Sequence, residues 1–370
     1  MKVSILQENI QWALGIVRNA LPTKALRPIT DNIMLQTEFG KLILTATDLE
    51  MAITVKITAK VEEVGELTVP SKLFINCIEA LPQDRIDLFT KPTTKSLYVE
   101  CGKNKSRIAY IPTDDYPLIP EVEGKMLEFS SGNLIKIISH TLLSAATEDS
   151  RPIFTGISIR SNATGLTFAS ADGFRLSSYS YPGTDSIEAI IPAKALSALS
   201  KILVDPVEMV NVCIGESRTL FKTKNTEIMT QLLNGKFPAY ESLIPTTFKA
   251  KAIVSGNDLF RSTKSAMIFS SDGGGIVKIK MIPSKGSNPG QIITQGESSE
   301  IGENEGILDC EVTGEEVKFA VKGKYFTEIL SIFKENKISL EVSGPDKPIM
   351  IKNIDNKNFI HIIMPMSVNW

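Results

Sequence analysis

Side chains able to do chemistry are few and scattered in this chain of 370 residues. His140 and His361 are its only histidines, and neither has a cysteine or a carboxylate pair at metal-ligand spacing. Cys77, Cys101, Cys213 and Cys310 stand singly, as free thiols of a reducing compartment do. Asp114 and Asp115 are adjacent, but in a Thr-Asp-Asp-Tyr-Pro turn, where carboxylates cap backbone or face water. There is no phosphate-cradling loop with its lysine, no GxGxxG after a strand, and no GxSxG elbow. An enzyme sited between domains needs a constellation these residues do not form, so no catalytic residue, metal or cofactor is expected.

The remaining chemical signal is positive charge. Lys194 and Lys201 are seven residues apart and Lys136 and His140 four apart, so each pair shares a helical stripe. Six segments with helical character, 6–20, 71–81, 132–146, 193–203, 257–268 and 323–334, carry a net charge of +5, although the whole chain carries −2. Solvated helix faces are often lysine-rich, which is one explanation. The other is that the helices face a polyanion and the rest of the chain faces away. A face of that kind attracts a phosphate backbone without reading its sequence.

Those helices recur within a larger repeat. Glu8-Asn9-Ile10, Gly132-Asn133-Leu134 and Gly256-Asn257-Asp258 place asparagines at 9, 133 and 257, two intervals of 124 residues. A period this long is a domain. The first helix of each copy shows apolar steps of three and four: Leu6, Ile10, Leu14, Val17 and Leu21, then Leu134, Ile138 and Leu142, then Leu259, Phe260, Thr263 and Met267. Hairpins follow at 41–46 with 51–57 and at 165–169 with 175–181, turning at Asp48 and Asp172, again 124 apart. The phrases Val69-Pro70-Ser71-Lys72, Ile191-Pro192-Ala193-Lys194 and Val321-Lys322-Gly323-Lys324 introduce the second helices. Linkers are expected near 121–127 and 246–251, and the Gly-, Ser- and Glu-rich segment 283–306 reads as a mobile loop. The expected fold is α+β: three tandem domains, 1–122, 123–248 and 249–370, each of two helices packed on antiparallel sheets. No apolar run approaches the roughly 18 residues of a membrane helix. The opening Met1-Lys2-Val3-Ser4-Ile5 is unlike a signal peptide, so a cytoplasmic location is expected.

Several phrases, in order, resemble the bacterial β sliding clamp family, the β subunits of DNA polymerase III. They are Met1-Lys2-Val3 with the helix after it, Thr45 to Met51, Val69-Pro70, Ser170 to Leu176, Gly235 to Tyr240, and Ile363-Met364-Pro365-Met366. The resemblance implies a head-to-tail homodimeric ring with helices lining the hole. It implies a non-catalytic processivity factor that encircles duplex DNA. The implied partners are double-stranded DNA bound without sequence preference, a second copy, the clamp loader, the replicative polymerase catalytic subunit and other proteins carrying a clamp-binding motif, with no membrane. The implied location is the cytoplasm, at the nucleoid. By the same resemblance a hydrophobic peptide-binding cleft comprises Phe154, Ala171, Gly173, Phe174, Arg175, Leu176, Pro238, Leu243, Pro348, Ile362, Met364, Pro365 and Met366. Methionine and aliphatic side chains repack easily, which suits a cleft that accepts many peptides.

DNA contacts are expected at Lys24, Arg27 and Arg151, and on the helices at Lys72, Lys136, Lys194 and Lys201. The implied dimer seam joins Lys103, Lys105, Arg107 and Ile108 to Met267, Ile268, Asp309 and Glu311, with charges opposed in sign. The chain departs from the family pattern at Ala171, where threonine is frequent, at Phe174, where histidine or tyrosine is, and at Glu148 and Ser242, where some members carry glutamine and a basic residue. After Met366 the tail runs on to Trp370, which either closes over the cleft or stays in solvent. The competing reading is a β-rich single-strand-binding protein. It has only Trp12 and Trp370 as tryptophan platforms, and no strand alternates aromatic and basic residues.

Overall fold

The computed structural model describes residues 1–91, 93–148, 150–183, 186–270 and 274–370. Six helices occur among them: α1 Gln7–Val17, α2 Ser71–Glu79, α3 Ser131–Thr141, α4 Ala193–Ile202, α5 Gly256–Ile268 and α6 Gly323–Ile332. All six fall on segments with the helical period. The chain forms two compact units, Met1–Lys136 with Lys194–Leu233, and Ile137–Ala193 with Asn234–Trp370, so each unit takes part of the middle repeat.

In the first unit, Ile10, Ala13, Leu14 and Val17 form the buried face of α1. That face packs on the hairpin Lys41–Thr47 and Met51–Thr58. Full burial of a side chain of this size contributes roughly 1.5–3 kcal/mol, so the stripe and not helix propensity holds α1 in place. The hairpin belongs to an antiparallel sheet in the order Lys125–Ser130, Met209–Ile214, Arg218–Lys222, Thr226–Gln231, Met51–Thr58, Lys41–Thr47, Asn32–Glu38, Gly65–Pro70. A strand of the middle repeat, Thr226–Gln231, therefore pairs directly with one of the first. A second sheet runs Lys60–Glu63, Lys2–Leu6, Arg85–Lys91, Thr94–Cys101, Asn104–Ala109 and ends on the last of these.

In the second unit one hydrogen-bonded series runs Glu188–Pro192, Gly156–Asn162, Gly165–Ala171, Arg175–Tyr181, Phe359–Ile363, Ile349–Asn353, Lys337–Val342, Ala250–Ser255, Gly302–Gly314, Gly290–Ser298, Ile276–Ile282, Val317–Lys322. Here too repeats join strand to strand, Arg175–Tyr181 with Phe359–Ile363. The two aspartate turns are built alike. Asp48 Oδ1 accepts from the amides of Glu50 and Met51, and Asp172 Oδ1 from those of Phe174 and Arg175. Each turn needs one left-handed residue, which is Gly173 at φ 93° in one and Leu49 at φ 81° in the other.

Two expectations are corrected. Segment 283–306 is a loop only up to its residue 289: from there on Gly290–Ser298 pairs with Gly302–Cys310 along its whole length. Its glycines are there for close approach. A Cβ on Gly296 would fall on the carbonyl oxygen of Ala266 in α5, and one on Gly306 on the hydroxyl of Ser262. The linkers are also shorter than expected, because strands begin at Lys125 and at Ala250.

Candidate functional site

The Asp172 turn delivers Phe174, Arg175 and Leu176 to the start of their strand. The register sets Arg175 opposite Ile363 and Leu176 opposite Ile362. The chain leaves the sheet as Met364-Pro365-Met366, with the Met364 amide donating to the Phe174 carbonyl at 2.8 Å. Pro348 precedes Ile349, which pairs with Ile363, so it lies at the same end of the sheet. Leu176 and Ile362 are buried beneath, whereas Phe174 is 56% and Met364 38% exposed. Gly173 is exposed, and Ala171, Pro365 and Met366 are half-buried around them.

A second wall reaches the same strand three residues further on. Phe154, in the turn Pro152–Thr155, meets Phe237 edge-on at 6.0 Å, and Phe237 meets Tyr240 at 6.2 Å. The Tyr240 hydroxyl lies 3.4 Å from that of Ser178. Pro238 is exposed beside Phe237, and Leu243, 55% exposed, closes the turn Glu241–Leu243. Gly235 takes φ 129°, and a Cβ there would meet Ile153 at 2.6 Å. The tail after Met364 turns aside. The Met366 amide donates to Ala320 on the end strand Val317–Lys322, and Trp370 stands with Lys318 5.5 Å from its ring. Ala320 is 1% exposed although it alternates with Lys318 and Lys322 on the strand's outer row, in keeping with a tail laid over it.

Arg175 is the electrostatic centre of this end of the sheet. Its Nε donates to Asp172 at 3.0 Å, and its Nη1 donates to Glu328 of α6. The guanidinium lies 4.2 Å over the ring of Tyr325, which Phe174 approaches at 6.4 Å and Lys322 at 5.1 Å. The Arg175 side chain is only 10% exposed.

All seven expected DNA-contact residues, Lys24, Arg27, Lys72, Lys136, Arg151, Lys194 and Lys201, are exposed. Lys194 forms an ion pair with Asp48, and Lys201 donates to Asn19 at 3.4 Å. Arg151 lies 6.0 Å over Phe154, at the second wall. The His140 ring packs edge-on against Phe359 at 4.6 Å and Tyr179 at 5.6 Å.

Of the residues expected at a dimer seam, Lys103, Lys105 and Arg107 are exposed on and beside Asn104–Ala109, with Lys105 paired to Glu100 at 3.2 Å. Ile108 is 3% exposed and belongs to the core, because its neighbours alternate outward. Ile268 is 64% exposed, while Met267 packs against Gly323. Asp309 and Glu311 are exposed on Gly302–Gly314. That strand pairs with Gly290–Ser298 through Cys310 and with Ala250–Ile253 only from Glu311 onward. Its second edge before Glu311 is therefore open among the described residues.

Among the described residues no group of three His, Cys, Asp or Glu side chains could hold a metal ion. Ser177 Oγ lies 2.9 Å from His361 Nδ1, a nucleophile–base distance, but every atom of the pair is buried. Burial, then the charge of Arg175, pushes the His361 pKa down to about 3. Burial pushes the Cys310 thiol up to about 11, which leaves it protonated and unreactive at neutral pH.

Three family models match in succession: the DNA polymerase III beta subunit N-terminal domain over residues 1–120, its central domain over 128–239, and its C-terminal domain over 241–367. The chain belongs to the DNA polymerase III beta-subunit family. The beta sliding clamp of Staphylococcus epidermidis is 27% identical over 380 residues, and that of Bacillus subtilis 24% over 381, each alignment covering 99% of both chains. The crystal structure of the B. subtilis DNA polymerase sliding clamp superposes with a TM-score of 0.93 at 24% identity over the full length of both chains. A sliding clamp from Pseudomonas aeruginosa bound to griselimycin gives 0.92 at 23%, also over both full lengths. At these identities the structures establish the fold.

For a beta-subunit family member, the structure adds four residues to the surroundings of Arg175: Asp172 and Lys322, expected only at a turn and before a helix, and Tyr325 and Glu328. The sequence carried one signal for the last two, a tyrosine and a glutamate at i and i+3 on one face of the second helix. Nothing in it indicated that their partner is Arg175.

Proposed function

We propose that the chain is a DNA sliding clamp: a non-catalytic processivity factor that encircles duplex DNA and tethers a polymerase. The observation that carries this is the ordered match of three beta-subunit domains along nearly the whole chain. We keep 1–122, 123–248 and 249–370 as the domain boundaries.

The strand pairing supports a ring of two copies. Thr226–Gln231 of the middle repeat pairs with the strand after the Asp48 turn of the first. Phe359–Ile363 of the third pairs with the strand after the Asp172 turn of the middle. The corresponding strand of the first repeat, Asn104–Ala109, and the strand after the third repeat's hairpin turn, Gly302–Gly314, are each left with an open edge. A second copy placed head to tail completes the same junction twice and leaves neither edge open. Lys103, Lys105 and Arg107 would then meet Asp309 and Glu311, which sets register and association rate more than affinity.

A ring linked topologically to DNA needs no tight contact, and tight contact would stop it sliding. Exposed Lys24, Arg27, Lys72, Lys136, Arg151, Lys194 and Lys201 supply weak phosphate attraction, and the Asp48 partner of Lys194 weakens it further. The cleft around Phe174, Met364, Pro238 and Leu243 would take short peptides of the polymerase, the clamp loader and other clamp-binding proteins, raising their effective concentration at the primer end. The proposed location is the cytoplasm, at the nucleoid. No helix of the described residues is long and apolar enough to cross a membrane. The single-strand-binding alternative has no support, since the three family models that match along the chain are all of the beta subunit.

The test is retention on primed circular against linearised DNA after loading by a clamp loader at moderate salt. Persistence on circles with rapid loss from linear ends is expected. Equal retention on both means direct binding and overturns the sliding ring.

A further inference from the structure

Arg175 is a cation at the proposed cleft. It is adjacent to exposed Phe174, and its strand carries the buried floor residue Leu176. Yet its guanidinium is already committed. Asp172 takes Nε at 3.0 Å, Glu328 takes Nη1, and the plane rests 4.2 Å from the Tyr325 ring. The two carboxylates differ in kind. Asp172 is 12% exposed and also caps the turn through the amides of Phe174 and Arg175, so it is part of the fold. Glu328 is 31% exposed on the surface of α6, and among the described residues Arg175 is its only ion-pair partner. Its role at this site is that one contact.

We propose that Glu328 is a specificity-determining residue of the cleft: it occupies the face of Arg175 that an incoming carboxylate would otherwise take. The inference rests on the cleft's being a peptide site. With Glu328 in place, a peptide docks through apolar and aromatic side chains on Phe174, Tyr325 and Met364, and a carboxylate on that peptide gains nothing from Arg175. It would have to displace a carboxylate that is already ordered, and the exchange of one charge-assisted bond for another is close to neutral. Removing the charge of Glu328 weakens the one hydrogen bond that Nη1 makes to it and leaves Arg175 with one carboxylate in place of two, so an acidic peptide should then be preferred.

The test is a double-mutant cycle on the full-length protein. Binding of two fluorescent hexapeptides is measured by anisotropy. Both carry one leucine and one phenylalanine, and they differ only in a single aspartate or asparagine between them. The receptors are the wild type and Glu328→Gln, which keeps the side-chain shape. Wild type is expected to bind both peptides alike, and Glu328→Gln to favour the aspartate peptide by about fivefold. Arg175→Lys on top of Glu328→Gln should abolish that preference, because lysine cannot present the fork from the same place. A wild type that already favours the aspartate peptide as strongly as Glu328→Gln does overturns the proposal and leaves the cleft standing. So does a Glu328→Gln protein of unchanged melting temperature with no preference. If neither peptide binds the wild type at all, the peptide-site reading fails, and the inference fails with it.

Discussion

His361 shows how far a single residue can mislead when its surroundings are missing. It has a serine hydroxyl 2.9 Å from Nδ1, and that serine is 2.9 Å from Ser144, so the trio has the outline of a relay. All three are buried, and Nε2 has no hydrogen-bond partner among the described residues. The imidazole is a core group kept neutral, with its pKa pushed down to about 3. An unfolded chain binds a proton here below about pH 6.5, whereas the folded chain does not until about 3. Stability is therefore lost as pH falls through 6.5, and the loss levels off near 3. The cost by pH 5 is on the order of 2 kcal/mol. Melting temperatures between pH 7 and 4 should fall more steeply for the wild type than for His361→Phe. Parallel curves would show that the folded chain takes up this proton as readily as the unfolded one, so that the fold does not lower the His361 pKa.

At the scale of elements, the hairpin Gly290–Ser298 with Gly302–Gly314 shows why glycine is ambiguous. A glycine-rich sequence suggests a loop when its neighbours are polar, yet Gly296 and Gly306 let α5 lie close on the sheet. Gly296→Ala sets a methyl group on the carbonyl oxygen of Ala266, and backbone cannot yield there cheaply. A loss of about 3 kcal/mol is expected in urea unfolding. Gly15 is the contrast: it is exposed in α1, and a methyl group added there would have nothing within 4 Å. Gly15→Ala should stabilise by roughly 0.5–1 kcal/mol through helix propensity alone. If the two substitutions had equal effects, close helix–sheet contact would not explain Gly296.

At the scale of the whole molecule, the repeats are fused through their strands and are not strung as beads. The 124-residue period marks domains, but the compact units divide the middle repeat because Thr226–Gln231 and Phe359–Ile363 each join a neighbour's sheet. The same rule leaves Asn104–Ala109 and Gly302–Gly314 with edges for a second copy. If they pair, Lys103→Glu, Lys105→Glu and Arg107→Glu together should weaken the dimer by roughly tenfold or more in sedimentation equilibrium, with partial rescue by Asp309→Lys and Glu311→Lys. A dimer unaffected by the triple change would place the interface elsewhere.

The sequence by itself determined the repeat, the six helices, the aspartate turns and the lack of a catalytic constellation, because each is written within about a dozen neighbouring residues as a period, a turn residue or a missing side chain. Family motifs also led to Phe174, Leu176, Ile362 and Met364, which the structure gathers at one strand end. Only the tertiary structure decided what each polar group touches. Arg175 and Glu328 are 153 residues apart, and Lys194 and Asp48 are 146 apart. It likewise decided that Ile108 is core, that His140 packs among rings and that Gly296 serves contact, since burial and partnership depend on which distant segments the fold brings alongside.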